Sequence, residues 1–169
     1  MVATFAWVEY TDTNVSDTPT NLNLGSTNAI NLVPSTYPIT AGTRSYSKWV
    51  AGEWSGSFTR IENLKFWMSA SGSGYVTGET LWFSGTESGY AGTDSNAAVN
   101  PTTASDTFAA HAIVTDTPSG ANIGIGGSLT GSLTATGKSD FVVIQASITD
   151  TASPGPVQQK TFTLMYDEV

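Results

Sequence analysis

The chain has 169 residues, of which 14 are acidic and 6 are basic, so its formal net charge is −8. Only 12% of the residues are charged, about half of the ~25% that is typical of soluble domains, whereas 26 Thr and 20 Ser supply small hydroxyls. The aromatic content of 11% excludes intrinsic disorder, and the absence of Cys excludes disulfide scaffolds and thiolate metal sites. β-Branched residues outnumber helix formers, which predicts a single all-β domain over residues 1–169.

Two further classes of protein are disfavoured by composition. No apolar run approaches the ~20 residues of a membrane span. The six cations are scattered, so they form no basic patch, and we expect no nucleic-acid binding. The first five residues contain no basic segment followed by a long apolar one, so we expect no signal peptide. We therefore expect the protein to be made in the cytoplasm.

Short apolar segments separated by Gly, Pro, Ser and Asn predict an antiparallel β-sandwich of eight to ten short strands, jelly-roll-like in type. In chain order, eleven candidate segments for these strands cover residues 4–10, 22–24, 29–33, 46–50, 57–68, 75–76, 81–83, 107–114, 123–136, 141–148 and 159–166. Residues 11–23 are predicted to form an extended loop or arm, residues 52–56 a turn, and residues 85–101 a long polar loop.

The predicted strand at 57–68 has an irregular pattern. Neither of its two faces is cleanly apolar, which indicates an interruption such as a β-bulge near Glu62 and Asn63. The strand at 141–148 has the clearest apolar face and is predicted to be a core strand.

The chain contains few of the residues and motifs that usually carry out catalysis. His111 is the single histidine, so a multi-histidine metal site is excluded, and no G-x-S-x-G nucleophile motif is present. The run Gly124-x-Gly126-Gly127 lacks the last glycine of a dinucleotide-binding fingerprint. Two carboxylates could form a glycosidase pair, but most acidic residues lie in predicted turns, where capping explains them. We therefore predict a protein that is not an enzyme, with no cofactor and no bound metal.

Aromatic residues are the remaining candidates for function, because exposed rings anchor protein interfaces or stack on sugars. Trp67 and Trp82 are interpreted as core residues. Trp54 and Tyr90, which lie in Gly- and Ser-rich predicted turns, are expected to be exposed. The candidate contact residues are Phe5, Trp7, Tyr10, Trp54, Tyr75 and Tyr90.

Four stretches of the sequence carry a resemblance to a known class of protein. They are residues 58–69, 122–131, 139–145 and 160–168. In these four stretches the chain resembles small β-rich virion structural proteins of tailed bacteriophages. The resemblance contains no catalytic motif, and it implies a capsid-decoration, head-fibre or tail-associated component.

Three hypotheses follow from the composition and the resemblance. The first is a non-enzymatic capsid decoration or cement protein that binds the major capsid protein, is located in the virion and forms a homo-oligomer, with a trimer favoured. The second is a carbohydrate- or receptor-binding module of a phage tail or head fibre, and it requires exposed aromatic rings beside Asp or Asn side chains. The third, ranked last, is a small glycoside- or ester-cleaving enzyme.

Overall fold

The computed structural model describes residues 2–11, 15–16, 18–70, 76–90, 111–112, 115–155 and 159–169. These residues form nine β-strands and no helix. The strands are β1 (Ala3–Tyr10), β2 (Val15–Ser16), β3 (Lys48–Gly56), β4 (Ile61–Ala70), β5 (Glu79–Glu87), β6 (His111–Ala112), β7 (Gly137–Lys138), β8 (Phe141–Ile148) and β9 (Lys160–Glu168). The all-β prediction is therefore confirmed over the described residues.

All strand pairs are antiparallel and belong to two sheets. Sheet A has the order β2-β1-β3-β8-β5-β6, with β7 also paired to β3, and sheet B consists of β4 and β9. The predicted strands at 4–10, 141–148 and 159–166 correspond to β1, β8 and β9. Alternating apolar and polar residues made β9 recognisable, because successive side chains point to opposite faces of a strand, whereas β1 and β8 are runs of mostly apolar residues.

The predicted bulge in β4 is confirmed. The pairing register between β4 and β9 shifts between Glu62 and Lys65, and Asn63 has a positive φ of 55°. Asparagine tolerates this left-handed conformation better than most residues. The Asn63 side chain also donates a hydrogen bond of 2.9 Å to Asp167 Oδ2 on β9, which ties the irregular segment to the neighbouring strand.

Two predicted strands near the N-terminus are wrong, since residues 22–24 and 29–33 form none. Asparagine side chains take over the backbone hydrogen bonding in this segment. Asn31 Oδ1 accepts from the backbone nitrogen of Thr20 at 2.6 Å, and Asn23 Nδ2 donates to the carbonyl of Leu32 at 3.0 Å. Such local side-chain bonds compete with strand pairing.

The predicted strand at 123–136 is also wrong. This segment makes isolated bridges, one of them from Leu133 to Ile61 of β4, and Gly126 and Gly127 have positive φ. Of the predicted strand at 107–114, only His111 and Ala112 are described, as β6.

The predicted turn at 52–56 does not exist, because β3 runs through it without interruption. Trp54 is 0% exposed, so the expectation of an exposed Trp54 is wrong. A Cβ at Gly52 would lie 2.7 Å from Trp54 Cη2 and 2.9 Å from Phe5 Cε2. The two aromatic rings therefore pack directly over Gly52 on the inner face of β3. A glycine is present here because the rings leave no room for a side chain, and not because the chain turns.

The two sheets share one apolar core. Buried side chains from β3, β5 and β8 of sheet A form a single cluster with buried side chains of β4. The strand β9 crosses this core between opposite corners of sheet A. Lys160, at its start, pairs with Glu79 at the start of β5, and Glu168, at its end, accepts a hydrogen bond from the backbone nitrogen of Ala3 at 2.8 Å.

Candidate functional site

The candidate residues of β1 pack inside the molecule. Phe5 lies 5.5 Å from Trp7, 5.2 Å from Trp54 and 5.9 Å from Tyr166, measured between ring centroids. Trp7 also meets the edge of Phe66 at 6.3 Å. Phe5 and Trp7 are partly buried against the shared core. Their rings already have intramolecular partners, which leaves little of them for a binding partner.

A second aromatic cluster lies on the opposite face of sheet A. Tyr10 packs edge-on against Phe141 at 4.9 Å, and Tyr90 packs edge-on against Trp49 at 5.3 Å. Lys138 lies over the Tyr10 ring, with its ammonium 4.6 Å from the centroid. Tyr90 is therefore partly buried against sheet A, and the expectation that it is exposed is wrong. The remaining candidate, Tyr75, lies outside the described residues.

The face of sheet B that points away from the core was not predicted as a site. Leu64, Phe66 and Met68 of β4 are at most 1% exposed, so the alternate residues of β4 face outward. The strand register places Trp67 beside Thr163 and Lys65 beside Met165. We call this surface the outer face of sheet B, and its members are Lys65, Trp67, Ser69, Thr161, Thr163 and Met165.

Trp67 is the largest side chain on this face. It is partly buried, but it belongs to neither core cluster, and its ring makes no hydrogen bond or aromatic contact with any other described residue. The interpretation of Trp67 as a core residue is therefore wrong. Met165 on the adjacent strand is 40% exposed. An aromatic ring, a flexible thioether and three hydroxyls thus form one two-stranded surface.

A sequence signal for this face did exist. Beyond the bulge, the alternation in β4 becomes regular, with Leu64, Phe66 and Met68 on one side and Lys65 and Trp67 on the other. The prediction treated residues 57–68 as one strand and so mixed the two registers, because a bulge exchanges the faces of all residues that follow it.

A groove lies next to the bulge, at the end of sheet B. Its volume is about 350 Å³, and it is open to solvent. The polar groups in its wall come from Glu62, Asn63 and Thr130, and Leu129, which is 44% exposed, adds an apolar side chain. Arg60 pairs with Glu62 at 2.9 Å. These groups can donate and accept hydrogen bonds, but no aromatic ring lines the groove.

Two lysine–carboxylate pairs are buried, and each joins separate parts of the fold. Lys48 on β3 pairs with Glu9 on β1 and also donates to the carbonyl of Ala29 at 2.5 Å. Burial raises the pKa of Glu9, although Lys48 acts in the opposite direction. Lys160 on β9 pairs with Glu79 on β5 at 2.6 Å. The sequence interpretation assigned acidic residues to turns and solubility and did not find these internal pairs.

The glycine-rich run at 124–127 surrounds a carboxylate of the same chain. Asp140 is 3% exposed, and its Oδ2 accepts a hydrogen bond from the backbone nitrogen of Gly127 at 2.8 Å. A Cβ on Gly124 would collide with Asp140. Burial raises the pKa of Asp140, and the backbone N–H groups of Gly127 and Gly126 oppose that shift. Successive N–H groups of this kind form an anion-binding nest, and here Asp140 occupies it.

Within the described ranges, no group of three His, Asp or Glu side chains could hold a metal ion. The structure describes the backbone of His111 but not its side chain. A catalytic triad that includes His111 is therefore not tested. Among the described residues, no helix is long and apolar enough to cross a membrane.

No protein-family model, curated protein or solved structure matches this chain.

Proposed function

We propose that this chain is a non-enzymatic virion structural protein, a capsid decoration or cement protein that binds the major capsid protein of a tailed bacteriophage. In this proposal the fold is a jelly-roll-like β-sandwich, which agrees with two antiparallel sheets around one core. The protein is made in the host cytoplasm, is located in the virion and forms a homo-oligomer, for which a trimer is the sequence-based expectation.

The observation that carries the proposal is the outer face of sheet B. Aromatic residues and Met are enriched at protein interfaces, and the charged residues Glu, Asp and Lys are depleted there. Trp67 and Met165 lie on this face among three small hydroxyl side chains, with Lys65 as its single charge. Short Ser and Thr side chains lose little conformational entropy on burial, so such a face can be covered at low entropic cost.

The mechanism is stabilisation by mass action. A protein that binds only the assembled shell lowers the free energy of that shell relative to its dissociated subunits. The Lys160–Glu79 pair and the contacts of Phe5 and Trp54 with Tyr166 serve this role indirectly, because they join sheet A to sheet B before binding. No described group has to react for this function.

Co-sedimentation of the purified protein with capsids of the phage that encodes it tests the proposal. The double variant Trp67→Ala/Met165→Ala removes the apolar groups of the outer face of sheet B. We expect its capsid affinity to fall by at least about tenfold, as is typical for the loss of central interface anchors.

The matched control is Val33→Ala/Tyr37→Ala. These residues are 55% and 42% exposed, which is similar to Met165, and they belong to a segment that pairs with neither strand of sheet B. The control is expected to bind capsids as the unmodified protein does. Equal binding by both double variants would contradict the proposal that the outer face of sheet B binds the capsid. Cryo-electron microscopy that finds the chain only on the tail would overturn the decoration role.

The second candidate function, a carbohydrate- or receptor-binding module, is supported by the groove beside the bulge. Glu62, Asn63 and Thr130 could bond to sugar hydroxyls there. A glycan array with the unmodified protein and with Asn63→Ala tests this. Specific signals that Asn63→Ala abolishes would favour it over the decoration role, and signals at background would exclude it.

A further inference from the structure

The strand β9 has a long edge that the described residues leave unpaired. β9 is hydrogen-bonded to β4 along its length, and on its other side the backbone of residues 161–167 has no partner among the described residues. Such an edge is a ready template for another strand, and natural proteins usually protect it with charges, proline or bulges.

The edge of β4 shows how this fold protects an edge. The Asn122 side chain both donates to the carbonyl and accepts from the backbone nitrogen of Phe66, each at 2.7 Å. Leu133 exchanges two backbone hydrogen bonds of 2.9 Å with Ile61. The residues from Asn122 to Leu133 therefore cover the free side of β4, and among the described residues no segment makes corresponding hydrogen bonds to the second edge of β9.

The sequence of β9 adds no protection. Its residues 161–166, Thr-Phe-Thr-Leu-Met-Tyr, contain no charge, proline or glycine, and all have a high or neutral preference for strands. The acidic residues Asp167 and Glu168 are confined to its end.

The core is also less complete beneath β9 than beneath β4. The inward-facing residues Leu64 and Phe66 of β4 are at most 1% exposed. The corresponding residues of β9, which are Phe162, Leu164 and Tyr166, are only partly buried. A further strand added beside β9 would cover their exposed side.

We propose that the free edge of β9 pairs with β9 of a second copy of this chain, in antiparallel orientation, so that sheet B continues across a twofold axis. Full overlap of two nine-residue strands centres the axis on Leu164, which then lies opposite itself. In this register Lys160 lies opposite Glu168 of the second copy and Thr163 opposite Met165, so no like charges face each other.

This pairing rests on the homo-oligomer of the proposed function but gives it a twofold contact, in place of the trimer expected from the sequence, and it also enlarges the docking face. The order of the joined sheet is β4-β9-β9-β4, so the outer faces of sheet B of both copies, each with its Trp67, form one surface. Twofold pairing produces a dimer, or a hexamer if a separate threefold contact is added. Its test needs no capsid, so failure of the pairing and failure of capsid binding are separate results.

The chain has no cysteine, so one introduced thiol reports the pairing directly. In the variant Leu164→Cys, the two thiols lie opposite each other on neighbouring antiparallel strands, at a Cα separation that a disulfide can bridge. In the matched control Thr161→Cys, the two thiols are six residues out of register, about 20 Å apart. We expect Leu164→Cys to form a disulfide-linked dimer under mild oxidation at least about tenfold faster than the control.

A second variant tests the pairing without altering a core residue. In Thr163→Glu/Met165→Glu, carboxylates face each other across the twofold axis, whereas within one copy Glu at 165 lies beside Lys65. Sedimentation velocity should show the unmodified protein as a dimer or hexamer, and this variant should dissociate at the twofold axis. Ser69→Glu on β4, away from the edge, should leave the assembly unchanged. A monomer or a trimer for the unmodified protein, or equal cross-linking of the two thiol variants, would overturn the proposal.

Discussion

The strands β8 and β9 have eight and nine residues, yet their surroundings differ. β8 lies between β3 and β5, and six of its consecutive residues, from Phe141 to Ala146, are buried. β9 has one neighbour, and none of its residues is fully buried. The number of neighbouring strands accounts for this difference. The strand β8 has a neighbouring strand on each side, whereas the second edge of β9 has no partner among the described residues.

The largest predicted effect concerns the buried ion pair at one end of sheet A. Replacing Glu9 by Gln removes the charge that compensates the buried ammonium of Lys48. We expect the free energy of unfolding to fall by about 3–5 kcal/mol, because an uncompensated buried charge is costly. Urea denaturation measures this. Arg60→Gln, which breaks an exposed pair with Glu62, is the control and should cost less than about 1 kcal/mol.

A direct comparison of the two strands uses similar truncations in each. Ile144→Ala in β8 is expected to cost about 2–5 kcal/mol, whereas Leu164→Ala in β9 should cost about half as much, because Leu164 is only partly buried. Thermal and urea unfolding measure both. Equal costs would contradict the difference between the strands. A cost of Leu164→Ala that grows with protein concentration would support the pairing of β9 between copies.

A smaller effect is expected at the position in β3 over which the aromatic rings pack. Gly52→Ala introduces a Cβ within 3 Å of both Trp54 and Phe5, so we expect a loss of about 1–3 kcal/mol from overpacking and a change in tryptophan fluorescence. Gly120→Ala is the matched control, because no atom lies within 4 Å of the added Cβ. If both variants are equally stable, the rings are not packed on Gly52 as described.

The smallest predicted effect is on the pH dependence of stability. Burial raises the pKa of Asp140, so the folded protein holds this proton more tightly than the unfolded chain does. The resulting stabilisation is complete below the unfolded-state pKa of about 3.9 and is lost as the pH rises through the folded-state value. Asp140→Asn keeps an oxygen acceptor for Gly127 but does not ionise.

The stability of the Asn variant should therefore improve relative to the unmodified protein as the pH rises from about 4 to about 7, by at most about 1.4 kcal/mol per pH unit. Denaturation at several pH values measures the difference, in which the contribution of Glu9, common to both proteins, cancels. A difference that does not change with pH would contradict the raised pKa.

Some of these features could be predicted from sequence, because they depend on local patterns. Apolar runs identified β1 and β8, alternation identified β9, and the conflict between the two faces of residues 57–68 located the bulge near Glu62 and Asn63. Prediction failed where distant residues decide the local structure. Gly52 and Gly56 suggested a turn, but Gly52 serves the packing of Trp54, and the Gly-rich run at 124–127 wraps around Asp140, thirteen residues beyond Gly127.

The candidate site was less predictable than the fold. The assignments of Trp54 to the surface and Trp67 to the core were both wrong, because side-chain periodicity separates the two faces of a strand but does not say which face is covered. That choice depends on which strands become neighbours, and hence on contacts between residues far apart in the chain.

The composition by itself determined that this chain forms strands and that it has one histidine and no cysteine. Only the tertiary structure decided which face of sheet B meets solvent, which carboxylates are buried beside lysines, and which strand keeps a free edge. The physical reason is that strand preference is a property of single residues and their immediate neighbours, whereas burial is a property of the assembled sheets.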